Sequence, residues 1–247
     1  MKTKFNKWQN CLRPETAEKL YTDFVEREKP LPWDHRGFGR FVHDLTDTEY
    51  GQAVKDDITS DIHSPFYEDQ HYAESCTVWI QCFVPGAVLP LHREYVKSVG
   101  TVYLNKTLWQ ETQSGFMEWY EAASIGELFD EPIHQSLPKF NTGNYYKNPD
   151  IDSDDKIFNP WHRVHRNNAT YKRYSLQIFE PAMQGPEAVV SNSTKMIEQG
   201  FLQVVGWDKA TEHYPDGHSI YDYSCWHPEI MSTWQKENKE MIESMTL

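Results

Sequence analysis

Two periods of hydrophobic patterning organise this chain. Between positions 77 and 180, short runs rich in β-branched and aromatic residues recur between polar or proline-containing loops: TVWIQCFV (77–84), VGTVYLN (99–105), GFMEWYE (115–121), FNTGNYY (140–146) and RYSLQIFE (173–180). Runs of this length and makeup predict strands, and Pro85-Gly86 at the end of the first predicts a turn into the next. Ahead of them, PETAEKLYTDFVERE (14–28) opens on a proline and carries Ala17, Leu20, Tyr21, Phe24 and Val25 at helical spacing. That predicts an amphipathic helix packed on the outside of a sheet. Beyond Pro181 the signals weaken until PEIMSTWQKENKEMIESM (228–245), where Ile230, Trp234, Met241 and Ile242 share one face of an expected terminal helix. The acidic stretch NPDIDSDDKIFN (148–159) reads as an exposed loop. Strands in this number, with few helices, predict an antiparallel sandwich or barrel.

A chain of 247 residues can bury a substantial core, and all-β folds of this size commonly form one domain. The expectation is a single domain over 1–247, with its core at about 77–181, a helical N-terminal region at about 1–70 and a C-terminal extension at about 182–247. No repeat or low-complexity segment interrupts it. A mean hydropathy of -0.74 and the lack of any apolar run of about 18 residues exclude a helical membrane protein. The start, MKTKFNKWQNCLRPE, has no apolar signal-peptide core, which points to a cytoplasmic protein. Four scattered cysteines (Cys11, Cys76, Cys82, Cys225) form no CxxC pair and read as buried thiols. A formal charge of -13 disfavours a nucleic-acid partner.

Candidate chemistry concentrates at three places. His92-Arg93-Glu94 lies in an expected extended segment, where alternate side chains project from one face, so His92 and Glu94 can reach one metal ion. About seventy residues on, Trp161-His162-Arg163-Val164-His165 supplies another imidazole, from either histidine. Two histidines and a carboxylate on one face of an octahedral ion leave three positions open, the ligand set of non-haem Fe(II) oxygenases. Arg173, in KRYSLQIF, follows on a strand with Ser175 on the same face. A guanidinium fork there grips a carboxylate through two parallel hydrogen bonds while the hydroxyl donates a third, which implies a dicarboxylate co-substrate.

In order along the chain, the strand ending at Pro85-Gly86, His92-x-Glu94, TVYLN with Trp109 after it, the strand from Gly115 to Tyr120, Pro138-Lys139-Phe140-Asn141, His162-Arg163-Val164 and Arg173-Tyr174-Ser175-Leu176 resemble the Fe(II)/2-oxoglutarate-dependent oxygenases, most closely their prolyl-hydroxylase-like branch. The resemblance spans roughly Val78 to Glu180. It implies a double-stranded β-helix (a jelly roll, cupin-like) with flanking helices, Fe(II) as cofactor, and 2-oxoglutarate and dioxygen as co-substrates. By position, His92, Glu94 and His162 would be the iron ligands and Arg173 the partner of the distal carboxylate. Tyr103 matches a position whose hydroxyl also contacts that carboxylate, and Ser175 matches the serine of the Arg-x-Ser pattern. The family's spacing to Arg173 and its His-x-Val pattern favour His162 over His165. Glu94 stands where the family usually has Asp; a minority of members share the glutamate, and its presence argues for hydroxylation or desaturation.

The substrate expected is a small molecule, amino acid or peptidyl residue, with the oligomeric state left open. A catalytically inactive cupin-like binding protein and a zinc hydrolase on the same triad are the competing readings. Trp109, Phe116, Trp119, Tyr120, Tyr145, Tyr146 and Trp161 lie near the motifs as wall candidates, although aromatics at such positions mostly fill β cores.

Overall fold

The computed structural model describes residues 4–35, 39–67, 74–94, 96–120, 132–147, 161–181, 202–204 and 236–246. In chain order these form β1 (Lys4–Gln9), α1 (Pro14–Leu20, continued by a π-helical turn, Tyr21–Glu26), β2 (Asp34–His35), β3 (Arg40–Asp44) and α2 (Glu49–Ser60). Then come β4 (Thr77–Phe83), β5 (Leu89–Glu94), β6 (Val96–Tyr103), β7 (Met117–Tyr120), β8 (His134–Ser136) and β9 (Thr142–Lys147). The described chain ends with β10 (Trp161–Val164), β11 (Arg173–Pro181), β12 (Leu202–Val204) and α3 (Lys239–Thr246).

Two antiparallel sheets result: a larger one in the order β1-β9-β6-β11-β4-β3-β2 and a smaller one in the order β12-β5-β10-β7-β8. From β4 to β11 the chain alternates between them. β4, β6, β9 and β11 go to the larger sheet, while β5, β7 with β8, and β10 go to the smaller. That back-and-forth winding is the jelly roll expected from the motifs.

The five strands predicted from 77 to 180 all form, within a few residues at each end. The helix at 14–28 forms with Pro14 in its first turn, and Ala17, Leu20 and Phe24 are buried. Met241 and Ile242 of α3 pack on the core as expected, whereas Ile230 and Trp234, and the loop at 148–159, lie outside the described residues. The region before residue 70 is more than helical. β1 caps one edge of the larger sheet through β9, and β3 extends the other edge through β4.

The faces of the larger sheet differ in chemistry. On its outer face Ile80, Leu176 and Val102 form one cross-strand row and join Leu20, Phe24, Val54 and Ile58 of the two helices in the main apolar cluster. Its inner face carries Gln81, Thr101, Tyr103, Asn144, Arg173 and Ser175, all buried. The inner face meets the smaller sheet where the Trp119 and Tyr146 rings stack with centroids 6.1 Å apart. Apolar helix contacts thus stabilise one side, while the polar side chains are held inside the β-helix. Polar groups buried in this way need partners or a ligand.

Cys11, Cys76 and Cys82 are free and buried, and burial raises their thiols, to about 11 for Cys76 and about 12 for Cys82. They are packing residues, not nucleophiles. Cys225 lies outside the described residues.

Candidate metal and co-substrate site

β5 and β10 are neighbours in the smaller sheet, and their register places His92 directly opposite His162. The two imidazoles lie with centroids 4.2 Å apart, and each residue is only 2% exposed. On its other side His162 stacks on Trp119 of β7, its cross-strand partner, at 4.2 Å and 24°. This sandwich fixes the ring and excludes water from it. Past His92 the ladder shifts register before Val164 meets Leu89. Pro90, which has no N–H to give to the ladder, lies in the shifted segment, and a bulge there turns the strand beside His92.

His165 lies elsewhere. It follows β10, and its Nε2 lies 2.7 Å from Oε2 of Glu118, while its ring lies 4.1 Å from that of Phe116. The same carboxylate oxygen accepts from Arg163 Nε at 2.8 Å and from the Tyr120 hydroxyl at 2.5 Å, and Gln135 donates to Oε1 at 3.0 Å. Burial alone would push the Glu118 carboxyl up, but the hydrogen bond from His165 and the charge of Arg163 outweigh it and bring it down to about 2. Glu118 pairs with Arg163 across the ladder, one position from the His162–Trp119 pair and so on the opposite face. His165 and Arg163 therefore belong to a structural ion cluster. Arg166 points its guanidinium to the Gly86 carbonyl at 3.5 Å, and the Arg93 side chain lies outside the described residues.

Glu94 ends β5, paired with Leu202 of β12 and two positions from His92, while its side chain lies outside the described residues. Among the described side chains, no third His, Cys, Asp or Glu joins the two imidazoles. Two buried imidazoles paired across β5 and β10, with the carboxylate of residue 94 two positions from His92 on β5, are a donor set that fits Fe(II).

Arg173 opens β11 on the inner face of the larger sheet and is 1% exposed. Its guanidinium lies 4.8 Å from the Phe83 ring centroid and 5.1 Å from that of Tyr103. Its Nε is buried with no hydrogen-bond partner, and no carboxylate among the described residues pairs with it. Burial lowers its pKa, with Tyr103 opposing. An enclosed guanidinium lying against two ring faces, with the Tyr103 hydroxyl as its polar neighbour and its Nε unpartnered, is suited to receive an anion. Ser175 and Tyr103 sit opposite one another on β11 and β6, one step along the same face from Arg173.

Sequence reasoning missed the polar group behind Tyr103. Its hydroxyl lies 2.7 Å from Ser136 Oγ, and Asn144 Nδ2 donates to both, at 2.6 Å to Ser136 and 3.3 Å to Tyr103. Asn144 Oδ1 lies 2.7 Å from His134 Nε2. Asn144 sits at an alternating position in a predicted strand, a signal that was there to be read. Ser136 and His134 lie on a three-residue strand too short to register. Trp109, Trp119, Tyr120, Tyr145, Tyr146 and Trp161 are all buried, and Phe116 is half-buried.

The loop between β10 and β11 is fastened by Asn167, which is 1% exposed and donates from Nδ2 to the carbonyls of Phe83 (3.1 Å) and Tyr171 (3.1 Å). Gly86, at φ +82°, donates its N–H to the Asn167 carbonyl at 2.7 Å. This tie joins the β4–β5 turn to the segment linking His162 with Arg173.

No protein-family model matches the sequence, and no curated protein matches it. Solved structures do. A prolyl hydroxylase from Trichoplax adhaerens, in complex with a hypoxia inducible factor oxygen degradation domain peptide fragment, is 12% identical, with a TM-score of 0.51 over 76% of this chain and 87% of that one. A Pseudomonas putida prolyl-4-hydroxylase is 15% identical, with a TM-score of 0.49 over 71% of this chain and 91% of that one. An oxidoreductase of the 2OG-Fe(II) oxygenase family from Burkholderia pseudomallei is 11% identical, with a TM-score of 0.49 over 74% and 86% of the two chains. The chain shares the double-stranded β-helix of the prolyl hydroxylases.

Proposed function

We propose that this chain is an Fe(II)/2-oxoglutarate-dependent dioxygenase that hydroxylates an unactivated C–H bond of a small molecule, amino acid or peptidyl residue. The observation that carries the reading is the buried Arg173, with its unpartnered Nε, on a β-helix whose opposite sheet pairs His92 with His162. His92, Glu94 and His162 would hold the metal, and Arg173, with Tyr103 and Ser175, the distal carboxylate of 2-oxoglutarate. When bound, the metal with 2-oxoglutarate and dioxygen supplies oxidative decarboxylation to succinate and carbon dioxide, with one oxygen atom passing into the substrate C–H bond. The chain's own residues position the reactants. Trp119 locks the His162 ring, Arg173 neutralises the co-substrate's far charge, and the buried surroundings exclude water. The peptide bound to the Trichoplax adhaerens hydroxylase, whose fold this chain shares, supports a peptidyl substrate among the three.

The test is anaerobic titration with Fe(II) and 2-oxoglutarate, following the visible charge-transfer band of the chelate. The band is expected in the wild type and in His165→Ala and is lost in His162→Ala. A wild type that holds iron but shows no band overturns the proposal and favours a cupin-like binding protein. A band lost in His165→Ala and kept in His162→Ala reverses the assignment of the distal ligand.

A further inference from the structure

The site contains one hydrogen-bond network that the residues named so far do not explain. Asn144 Nδ2 carries two protons, and two hydroxyl oxygens receive them, Ser136 Oγ and Tyr103 Oη. Its Oδ1 accepts from His134 Nε2, which must carry a proton to bond there. The two hydroxyls lie 2.7 Å apart and share one of their own protons. Each hydroxyl has only one proton, so the count leaves a single O–H undirected within the group. Beside it stands the Arg173 guanidinium, 5.1 Å from the Tyr103 ring centroid, with its own buried Nε unpartnered. Turned the other way, the amide would present its oxygen to both hydroxyls and absorb both protons. His134 fixes which way it faces.

We propose that Asn144, oriented by His134, is a positioning residue that aims one hydroxyl proton of the Tyr103–Ser136 pair at the carboxylate held by Arg173, and so sets a preference for a dicarboxylic over a monocarboxylic 2-oxo acid. This inference rests on the proposed function, and it concerns residues that neither ligate metal nor carry charge. Burial lowers the His134 pKa, and the hydrogen bond to Asn144 opposes it, so the ring serves as a neutral donor. A charged ring would set a second cation against Arg173, whereas a neutral one orients the amide without altering the charge of the pocket.

The experiment compares anaerobic binding of 2-oxoglutarate and of 2-oxopentanoate to the Fe(II) protein. The second acid keeps the chelating end and lacks the distal carboxylate. Asn144→Asp, which is isosteric but accepts from both hydroxyls and adds a negative charge beside Arg173, is expected to weaken 2-oxoglutarate by about tenfold or more and to change 2-oxopentanoate by no more than about twofold. His134→Leu shifts the same ratio in the same direction, and His134→Gln, which retains an N–H donor, keeps it at the wild-type value. Thermal melts identify any variant that fails to fold, and the remaining variants then decide. Equal losses for both acids mark a structural role and overturn the inference, as does an unchanged ratio in the folded variants. No binding of either acid by the wild type overturns the proposed function and this inference with it.

Discussion

Replacing Arg173 by methionine should stabilise the protein in the absence of co-substrate and destroy its response to co-substrate. Arg173 is 1% exposed, its Nε has no partner, and no described carboxylate neutralises it. Burying such a cation costs several kcal/mol even after local relaxation. The Phe83 and Tyr103 rings, 4.8 and 5.1 Å from the guanidinium carbon, return about 1 to 2 kcal/mol each. A methionine fills most of the stem's volume and keeps its apolar contacts, so the net change is a gain of about 1 to 2 kcal/mol, or roughly 3 to 6 °C in Tm for a chain of this size. Added 2-oxoglutarate with Fe(II) reverses the order. At about a hundred times its Kd the co-substrate stabilises the wild type by about 2.7 kcal/mol, and the variant hardly moves. The assay is a pair of anaerobic thermal melts with and without co-substrate, checked by urea titration for unchanged cooperativity. An Arg173→Met protein that melts below the wild type without ligand, with the same m-value, would refute the reasoning, because the guanidinium would then be satisfied by the fold itself.

Two further tests probe the frame around the site. Glu118 has a folded-state pKa near 2 against an ordinary 4.5, so its contribution is complete above the ordinary value and is lost as pH falls toward 2; the stability gap between wild type and Glu118→Gln should shrink by about 3 kcal/mol over that range, and a gap independent of pH sinks the assignment. Gly115 holds φ +68°, and a Cβ there would lie 2.9 Å from Trp109 Cζ2, so Gly115→Ala should lose about 1 to 3 kcal/mol in urea unfolding; a loss below about 0.5 would show that the Trp109 loop yields freely.

The strands of the larger sheet were legible because they have one side facing helices and the other facing the interior, and both sides favour β-branched and aromatic residues. TVWIQCFV and RYSLQIFE show the pattern in full: Val78, Ile80, Leu176 and Ile178 face outward to the helices, while Gln81 and Ser175 interrupt the apolar run because they face the interior. The strands before residue 70 were harder to read. In β3 the run RFVHD has two apolar residues between charged or polar ones, and it becomes a strand because β4 offers its edge. For α2 a signal existed and went unread: Tyr50, Val54 and Ile58 recur at four-residue intervals, behind Thr48, whose Oγ1 accepts from the Gly51 N–H at 3.2 Å. The short β8 carries His134 and Ser136, and both reach Asn144 on a strand of the other sheet. No local pattern encodes a pairing of that kind.

The two histidines of Trp161–His165 show how far parity alone can go. Once the segment is a strand, His162 and Val164 must share a face, and the odd separation of His165 from His162 sends it to the other side or past the strand's end. Val164 is buried with Met117 opposite it, and the stacking of Trp119 on His162 marks their common face as the inward one. His162 is then an inward imidazole and Arg163 an outward cation, before any family pattern is consulted. The outward side supplies the confirmation: Arg163 and His165 both converge on Glu118, which the same alternation in GFMEWYE places opposite Arg163 and away from Trp119. What parity could not supply is the partner strand. Opposition of His162 to His92 depends on β5 lying next to β10, a pairing made across about seventy residues of chain and fixed by the jelly-roll winding, not by either segment's own sequence.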